Sequence, residues 1–173
     1  MDQTLYDLLL QDARFLYGAE TEQEVQLRAL AESLSDERLQ AVFREHAQET
    51  AMQISRLETI LKDAGEEPQG KVPSAVSGLI ADAELVAGKA AGPVRDVAIA
   101  AAARKMEHYE IGCYETAVAI AEQLGIAEVL NPLQETLQEE RRADMRLAEA
   151  ALVLVQTQVP LETEPIAAGE QGD

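Results

Sequence analysis

The sequence is poor in the residues that build disulfide scaffolds and small β-proteins. Its 173 residues include one cysteine, Cys113, and no tryptophan, and aromatic residues make up only 3%. A single cysteine excludes an intrachain disulfide framework and a zinc site built from several thiolates. With only 10 glycines and 6 prolines, the chain also lacks the regular turn signals of a β-sandwich or barrel.

Basic residues are scarce as well. The chain has 14 Lys and Arg against 32 Asp and Glu, which gives a formal net charge of -18. Nucleic acids and anionic membranes bind basic surfaces, so we expect neither as a partner. The sequence has no apolar run of the roughly 20 residues that a membrane-spanning helix needs. Its first residues lack the basic start of a signal peptide, so we expect a cytoplasmic location.

What the sequence does contain is apolar residues at helical spacing along most of its length. This periodicity predicts four long helices, joined by tight turns near residues 34–35 and at Gly125. Residues 65–92 form a longer connection that carries a short helix over about 74–88. Two antiparallel helical hairpins with a long crossover are typical of an all-α, ferritin-like four-helix bundle.

The same patterning predicts the domain boundary. Residues 1–158 are expected to form the bundle as one domain, which is an ordinary size for a single hydrophobic core. Residues 159–173 have no apolar periodicity and several acidic residues, so they are predicted to be a flexible acidic tail.

Several acidic residues interrupt the apolar stripes at matched levels. Glu20 and Glu49 each lie about 15 residues from the first predicted turn, and Glu110 and Glu140 each lie 15 residues from Gly125. At 1.5 Å per residue, antiparallel packing brings the members of each pair to one level, roughly 22 Å from the turn.

Three further residues extend this pattern. His46 shares a helix face with Glu49, and Glu107 and Asp144 are nearly symmetric about Gly125. Facing hairpins would therefore form one carboxylate-rich cluster, which needs bound cations or protonated members. The competing interpretation is a solvated acidic surface, because some of 32 acidic residues fall within a stripe by chance.

Taken together, these stretches resemble the YciE/YciF-type branch of the ferritin-like superfamily, which comprises small bacterial proteins linked to stress. The resemblance runs from about Leu5 to Leu152. It is carried by Tyr17-Gly-Ala-Glu20, Phe43-Arg-Glu-His46-Ala-Gln-Glu49-Thr50 with Arg56-Leu57, Arg95-Asp96, Glu107-His108-Tyr109-Glu110-Ile111 with Tyr114, and Thr136-Leu137-Gln-Glu139-Glu140 with Ala143-Asp144.

The resemblance implies a homodimer with a dinuclear metal centre in each bundle. Its implied ligands are Glu20, His46, Glu49, Glu107, Glu110, Glu140 and Asp144, with Glu49 and Glu107 as bridging carboxylates. The order His-x-x-Glu in the second helix, and the absence of histidine from the fourth, depart from the best-known di-iron pattern. Oxygen-rich ligands with one imidazole favour two divalent Fe or Mn ions, with adventitious Mg or Ca as the alternative.

Three further residues are expected near the predicted ligands but are not themselves predicted to bind metal. Tyr17 and Tyr114 fall about one turn from Glu20 and Glu110, where each phenol either bonds a ligand or simply fills the core. His108 is rotated about 100° from Glu107 and is expected near the centre or exposed.

The functional hypothesis is a ferritin-like metal-binding protein that reduces O₂ or peroxide under stress. The alternative is a non-catalytic helical stress or interaction protein with structural metal or none.

Overall fold

The computed structural model describes residues 3–157, and every regular element in that range is an α-helix. The predicted tail and its boundary at residue 158 lie outside this range. The helices are Leu5–Ser33 (α1), Glu37–Asp63 (α2), Ser74–Ala87 (α3), Gly92–Leu124 (α4) and Ala127–Thr157 (α5).

The helices begin and end where the sequence supplies capping residues. Thr4 and Asp7 form a reciprocal capping box at the start of α1, and the Asp36 side chain accepts hydrogen bonds from the backbone N–H groups of Arg38 and Leu39. Gly125 ends α4 with a positive φ of 69°, a conformation that favours glycine. Both predicted tight turns are confirmed.

The four long helices form two hairpins. Helix α1 packs along α2 and α4 packs along α5, while α2–α5 and α1–α4 contacts join the two pairs. The crossover contains α3, which packs on α4. This arrangement confirms the predicted all-α, ferritin-like four-helix bundle.

Besides a small cluster of Ala19, Val76 and Met106 where α3 packs, the apolar core has two large clusters along the bundle axis. One cluster, near the α4–α5 turn, includes Leu16, Leu61 and Tyr114, and the other, near the α1–α2 turn, includes Phe43 and Leu147. Buried polar residues occupy the level between these clusters; they are Glu20, Gln23, His46, Thr50, Gln53, Glu107, Glu110 and Glu140. A layer so costly to bury indicates a function at mid-length.

The crossover passes close to α1 through two glycines. A Cβ atom built on Gly18 would lie 2.5 Å from the Lys71 carbonyl oxygen, and one built on Gly70 would lie 2.0 Å from the Arg14 carbonyl oxygen. Backbone therefore touches backbone two residues before Glu20, and this contact fixes α1 at the level of the polar layer.

Asp96 joins the start of α4 to the α1–α2 turn. One oxygen of this buried carboxylate accepts from the Ser35 N–H at 2.9 Å, the Ser35 hydroxyl at 2.6 Å and the Asp36 N–H at 2.9 Å. The two hairpins are therefore held together at their ends as well as along their faces.

Asp96→Ala is expected to lower the free energy of unfolding by about 2–3 kcal/mol, because three hydrogen-bond donors at the turn lose their buried, charged acceptor. Urea denaturation measures the change. The control is Asp82→Ala on the exposed side of α3, which should change stability by less than about 0.5 kcal/mol. Equal losses in the two variants would contradict this role for Asp96.

Within residues 3–157, no helix combines the length and apolar character needed to cross a membrane.

Candidate metal centre

Five titratable side chains from all four long helices meet in the polar layer. They are Glu20 on α1, His46 on α2, Glu107 and Glu110 on α4, and Glu140 on α5, and none is more than 1% exposed. One ligand atom from each of His46, Glu107 and Glu140 lies within 4.8 Å of the other two. Such spacing allows these atoms to share a metal ion.

His46 is held by two neighbours. Its Nε2 lies 3.0 Å from Glu107 Oε1 and 3.1 Å from Gln23 Nε2. The Gln23 amide also donates to Glu107 Oε1 at 2.8 Å. Gln23 therefore connects α1 to the His46–Glu107 pair, while the other imidazole nitrogen, Nδ1, is left without a hydrogen-bond partner in residues 3–157.

Glu20 is fixed by a phenol. The Tyr114 hydroxyl donates to Glu20 Oε1 at 2.7 Å, and both side chains are fully buried. Tyr114 thus belongs both to the apolar core and to the polar layer, so the two interpretations of this residue are compatible.

Most of the remaining carboxylate oxygens have no donor. Among the described residues, no hydrogen-bond partner reaches Glu20 Oε2, Glu107 Oε2 or either oxygen of Glu110 and Glu140. Buried polar atoms are nearly always paired, so six unpaired oxygens at one level require another kind of partner. Cations fit this donor set, because all six atoms are hard oxygen ligands.

The metal-free chain meets the cost of burial by retaining protons. Burial raises the pKa of Glu20 to about 8, although the Tyr114 hydrogen bond opposes the shift. Burial, reinforced by the neighbouring carboxylates, raises the pKa of Glu110 and of Glu140 well above the ordinary value.

The acidic residues around His46 raise its pKa. Burial alone would lower its pKa, but the charge and hydrogen bond of Glu107, with smaller contributions from Glu49 and Glu20, raise it to about 10. A cation at this site would have to displace the imidazole proton, since metal ligands bind as the deprotonated form.

Glu49 lies at the rim of the cluster. Its carboxylate is half-buried and pairs with Arg146, and its Oε2 is 3.8 Å from His46 Nδ1. Burial opposes ionisation of Glu49, but the neighbouring His46 imidazole and Arg146 guanidinium outweigh it and lower the pKa to about 2. Glu49 is therefore a predicted ligand that already has a permanent cationic partner, Arg146.

The other predicted residues lie outside the buried cluster. Asp144 accepts from Arg104 Nε at 2.7 Å and lies 3.4 Å from His108 Nε2, and the His108 side chain is 63% exposed. The Tyr17 hydroxyl donates to Glu58 at 3.3 Å, on the α1–α2 face. The assignment of Asp144 as a ligand and of Tyr17 and His108 as neighbours of the ligands stays a prediction.

Two features near the layer were not predicted from the spacing of the acidic residues. One is Gln23, which lies three residues after Glu20 in the same apolar stripe; its position between Leu16 and Leu27 is the signal that could have found it. The other is a network in which Arg56 pairs with the buried Glu139 at 2.5 Å while Gln53 donates to the same carboxylate at 3.2 Å.

Comparison with known proteins decides the family. Residues 2–159 match the family model described as "Domain of unknown function (DUF892)". The chain belongs to the DUF892 family. A curated relative, Protein YciF of Escherichia coli K12, is 35% identical over 152 residues, which cover 87% of this chain and 92% of YciF. The predicted YciF-type resemblance is therefore confirmed.

Solved structures of similar chains share this DUF892 bundle. The crystal structure of the E. coli stress protein YciF matches with a TM-score of 0.83 at 34% identity, covering 91% of this chain and 100% of that one. YcfI of Rhodopseudomonas palustris, a candidate structural protein, matches with a TM-score of 0.80 at 38% identity, covering 84% and 94%. A Xanthomonas campestris protein at 20% identity, with a TM-score of 0.74 and coverage of 88% and 95%, supports the fold alone.

Proposed function

We propose that this DUF892 protein binds two divalent Fe or Mn ions in its polar layer and uses them to reduce O₂ or peroxide under stress. The observation that carries the proposal is the set of unpaired, fully buried carboxylate oxygens that all four long helices surround. Glu20, His46, Glu107, Glu110 and Glu140 would hold the ions, with Glu49 at the rim.

Charge balance supports two ions. Four fully buried carboxylates carry a charge of -4 when ionised, which two divalent ions would cancel, and a deprotonated His46 adds no charge. The two other predicted acidic ligands have their own cations, since Glu49 pairs with Arg146 and Asp144 with Arg104. The excess negative charge that six carboxylate ligands would create is thereby removed.

The donor set supports Fe or Mn over Zn or Cu, because it is rich in carboxylate oxygens and offers one imidazole nitrogen. When bound, such ions would supply the electrons that O₂ or peroxide needs for reduction. The chain's own part would be to hold the ions in a water-poor layer, with Gln23 orienting Glu107 and Tyr114 orienting Glu20. The proposed role under stress is supported by the relative YciF, which is described as a stress protein of E. coli.

Stability of the metal-free chain is expected to fall as the pH rises from about 4.5 to about 8. The unfolded chain ionises Glu20 near 4.5, whereas the folded chain keeps that proton up to a pKa of about 8. Ionisation therefore lowers the free energy of the unfolded state relative to the folded state over this window. The pKa values of Glu110 and Glu140 are shifted in the same direction. Denaturant titrations of chelated protein at pH 5 and pH 8 measure the fall.

A variant separates this effect from general acidic repulsion. Glu20→Gln keeps an acceptor for Tyr114 and removes the titration, so its stability should fall less between pH 5 and pH 8 than that of the parent chain. An undiminished fall in Glu20→Gln would show that the buried carboxyl is not the cause.

Metal content of the purified full chain tests the proposal. After chelation and anaerobic reloading with Fe(II) or Mn(II), elemental analysis is expected to find two ions per chain, and loading should raise the melting temperature. Glu140→Gln should lose at least one ion, while Glu149→Gln, the same change at an exposed position of α5, should keep both. Absence of specific transition-metal binding would refute the centre, whatever the protein's activity.

The second candidate is a non-catalytic structural or interaction protein, with structural metal or none. It is favoured by the protons that already neutralise the metal-free layer and by the description of YcfI. Two bound ions with no consumption of O₂ or peroxide by the ferrous protein would select this candidate. Assembly as a homodimer belongs to both proposals, and light scattering of the purified chain tests it.

A further inference from the structure

A mostly apolar cleft lies beside the polar layer, between α1, α3 and α4. Its volume is about 310 Å³, at the lower end of the range for small-molecule pockets. Its walls are chiefly aliphatic, and the larger side chains that line it are Leu27, Leu30, Leu79, Ile80, Ile99 and Met106. Such a lining favours a slender hydrocarbon ligand over a polar one.

The cleft has two chemically different ends. At one end Arg95 donates to the Ser33 carbonyl oxygen at 2.9 Å, and at the other Gln23 donates to Glu107 at 2.8 Å. At the helical rise per residue, the distance from Gln23 to Ser33 along α1 is roughly 15 Å and that from Arg95 to Glu107 along α4 is roughly 18 Å. The cleft therefore runs from the bundle end to within one side chain of the carboxylate cluster.

Arg95 is the cation at the outer end. The other half-buried arginines of residues 3–157, which are Arg14, Arg56, Arg104 and Arg146, each pair with a carboxylate, whereas Arg95 contacts only the Ser33 carbonyl and hydroxyl. In a chain of net charge -18, a half-buried arginine without an acidic partner suits an anionic group from outside. Glu84 also lines the cleft, but it is exposed on α3.

Helix α3 forms a loosely packed wall of the cleft. Val76 is its one fully buried side chain, and Leu79 and Ile80 are only half-buried. The next turns present Ala83 and Ala87 to the cleft, and these small side chains leave its volume open. Because so little of α3 is buried, it can shift to admit a ligand without unpacking the four long helices.

We propose that this cleft binds a free, unbranched alkyl carboxylate of medium chain length. The carboxylate lies at Arg95, where the guanidinium neutralises it, and the hydrocarbon chain follows the aliphatic walls toward Gln23. The proposal concerns binding alone and stands apart from the metal centre, although the chain end would lie next to that centre.

Calorimetric titration of the full chain with decanoate, after chelation and below the micelle concentration, tests the proposal. One decanoate is expected to bind per chain, and each methylene removed toward hexanoate should weaken binding about threefold to fourfold. Arg95→Gln should weaken decanoate binding about tenfold or more. Lys105→Gln, which removes an exposed positive charge from the same helix, should change it less than twofold.

A steric variant separates the cleft from the protein surface. Ala83→Phe places a ring in the cleft and should abolish decanoate binding, while Ala81→Phe, on the exposed side of α3, should not. Circular dichroism melting of both variants verifies that they fold.

Three results would overturn the proposal: no decanoate binding, equal losses for Arg95→Gln and Lys105→Gln, or full binding by Ala83→Phe. Adsorption to phospholipid vesicles without binding of free decanoate is a case of the first result. Since chelated protein is used, loss of metal binding in the experiments above leaves this test intact.

Discussion

Glu110→Gln is expected to make the metal-free chain more stable and, at the same time, to remove at least one of the two proposed metal ions. The gain should be about 1–3 kcal/mol at pH 7, or several degrees in melting temperature. A single substitution would thus act in opposite directions on stability and on metal binding.

The physical reason is the position of Glu110 in the bundle. The side chain is fully buried, neither of its oxygens has a hydrogen-bond partner in residues 3–157, and burial raises its pKa well above the ordinary value. Folding without metal must therefore take a proton from solvent at neutral pH, which costs free energy. Glutamine has nearly the same shape and no such cost, but it offers a cation one neutral oxygen in place of a carboxylate.

Melting of chelated and metal-loaded protein, with elemental analysis of the loaded form, measures both effects. Glu122→Gln is the matched control, because it makes the same change at an exposed position of α4 and should alter neither quantity. Chelated Glu110→Gln that melts below the parent chain would show that the carboxyl stabilises the metal-free bundle. Retention of both ions would show that Glu110 is not a ligand.

The fold was predictable from the sequence because capping and turn residues mark where the helices begin and end. Asp36 and Gly125 mark the tight turns, and the glycines and prolines of residues 65–92 mark the crossover. These signals are local, so they can be recognised in the sequence without knowing how the helices pack. The contact of Gly18 with the crossover is different, because it depends on where a distant loop lies.

For the candidate site, the sequence predicted the level along the bundle at which the acidic side chains lie. The number of residues between each turn and Glu20, Glu110 or Glu140 predicted that these side chains would lie at one level. The structure brings them together with His46 and Glu107. Which acidic residues would meet arginines instead depends on neighbours from other helices. Spacing within one helix could not reveal that Arg146 reaches Glu49 or that Arg104 reaches Asp144.

Gly18→Ala is expected to lower the free energy of unfolding by about 3 kcal/mol, which corresponds to roughly 6–12 °C in melting temperature for a chain of this size. A Cβ atom at this position would lie 2.5 Å from the Lys71 carbonyl oxygen. That oxygen belongs to backbone, so the crossover must move away from α1. Glu20 is two residues further along α1, and we expect its hydrogen bond with Tyr114 and the metal affinity to weaken as well.

Gly112→Ala is the matched control, and its expected effect has the opposite sign. Gly112 is also inside a long helix, but a Cβ atom there would meet nothing within 4 Å. Alanine should therefore stabilise the chain by about 0.5–1 kcal/mol, through its better helix propensity. Denaturant titration and metal affinity of the two variants give the comparison. If Gly18→Ala were as stable as Gly112→Ala, the crossover would not be packed against α1 in solution, and the position of Glu20 would have to be fixed by Tyr114 alone.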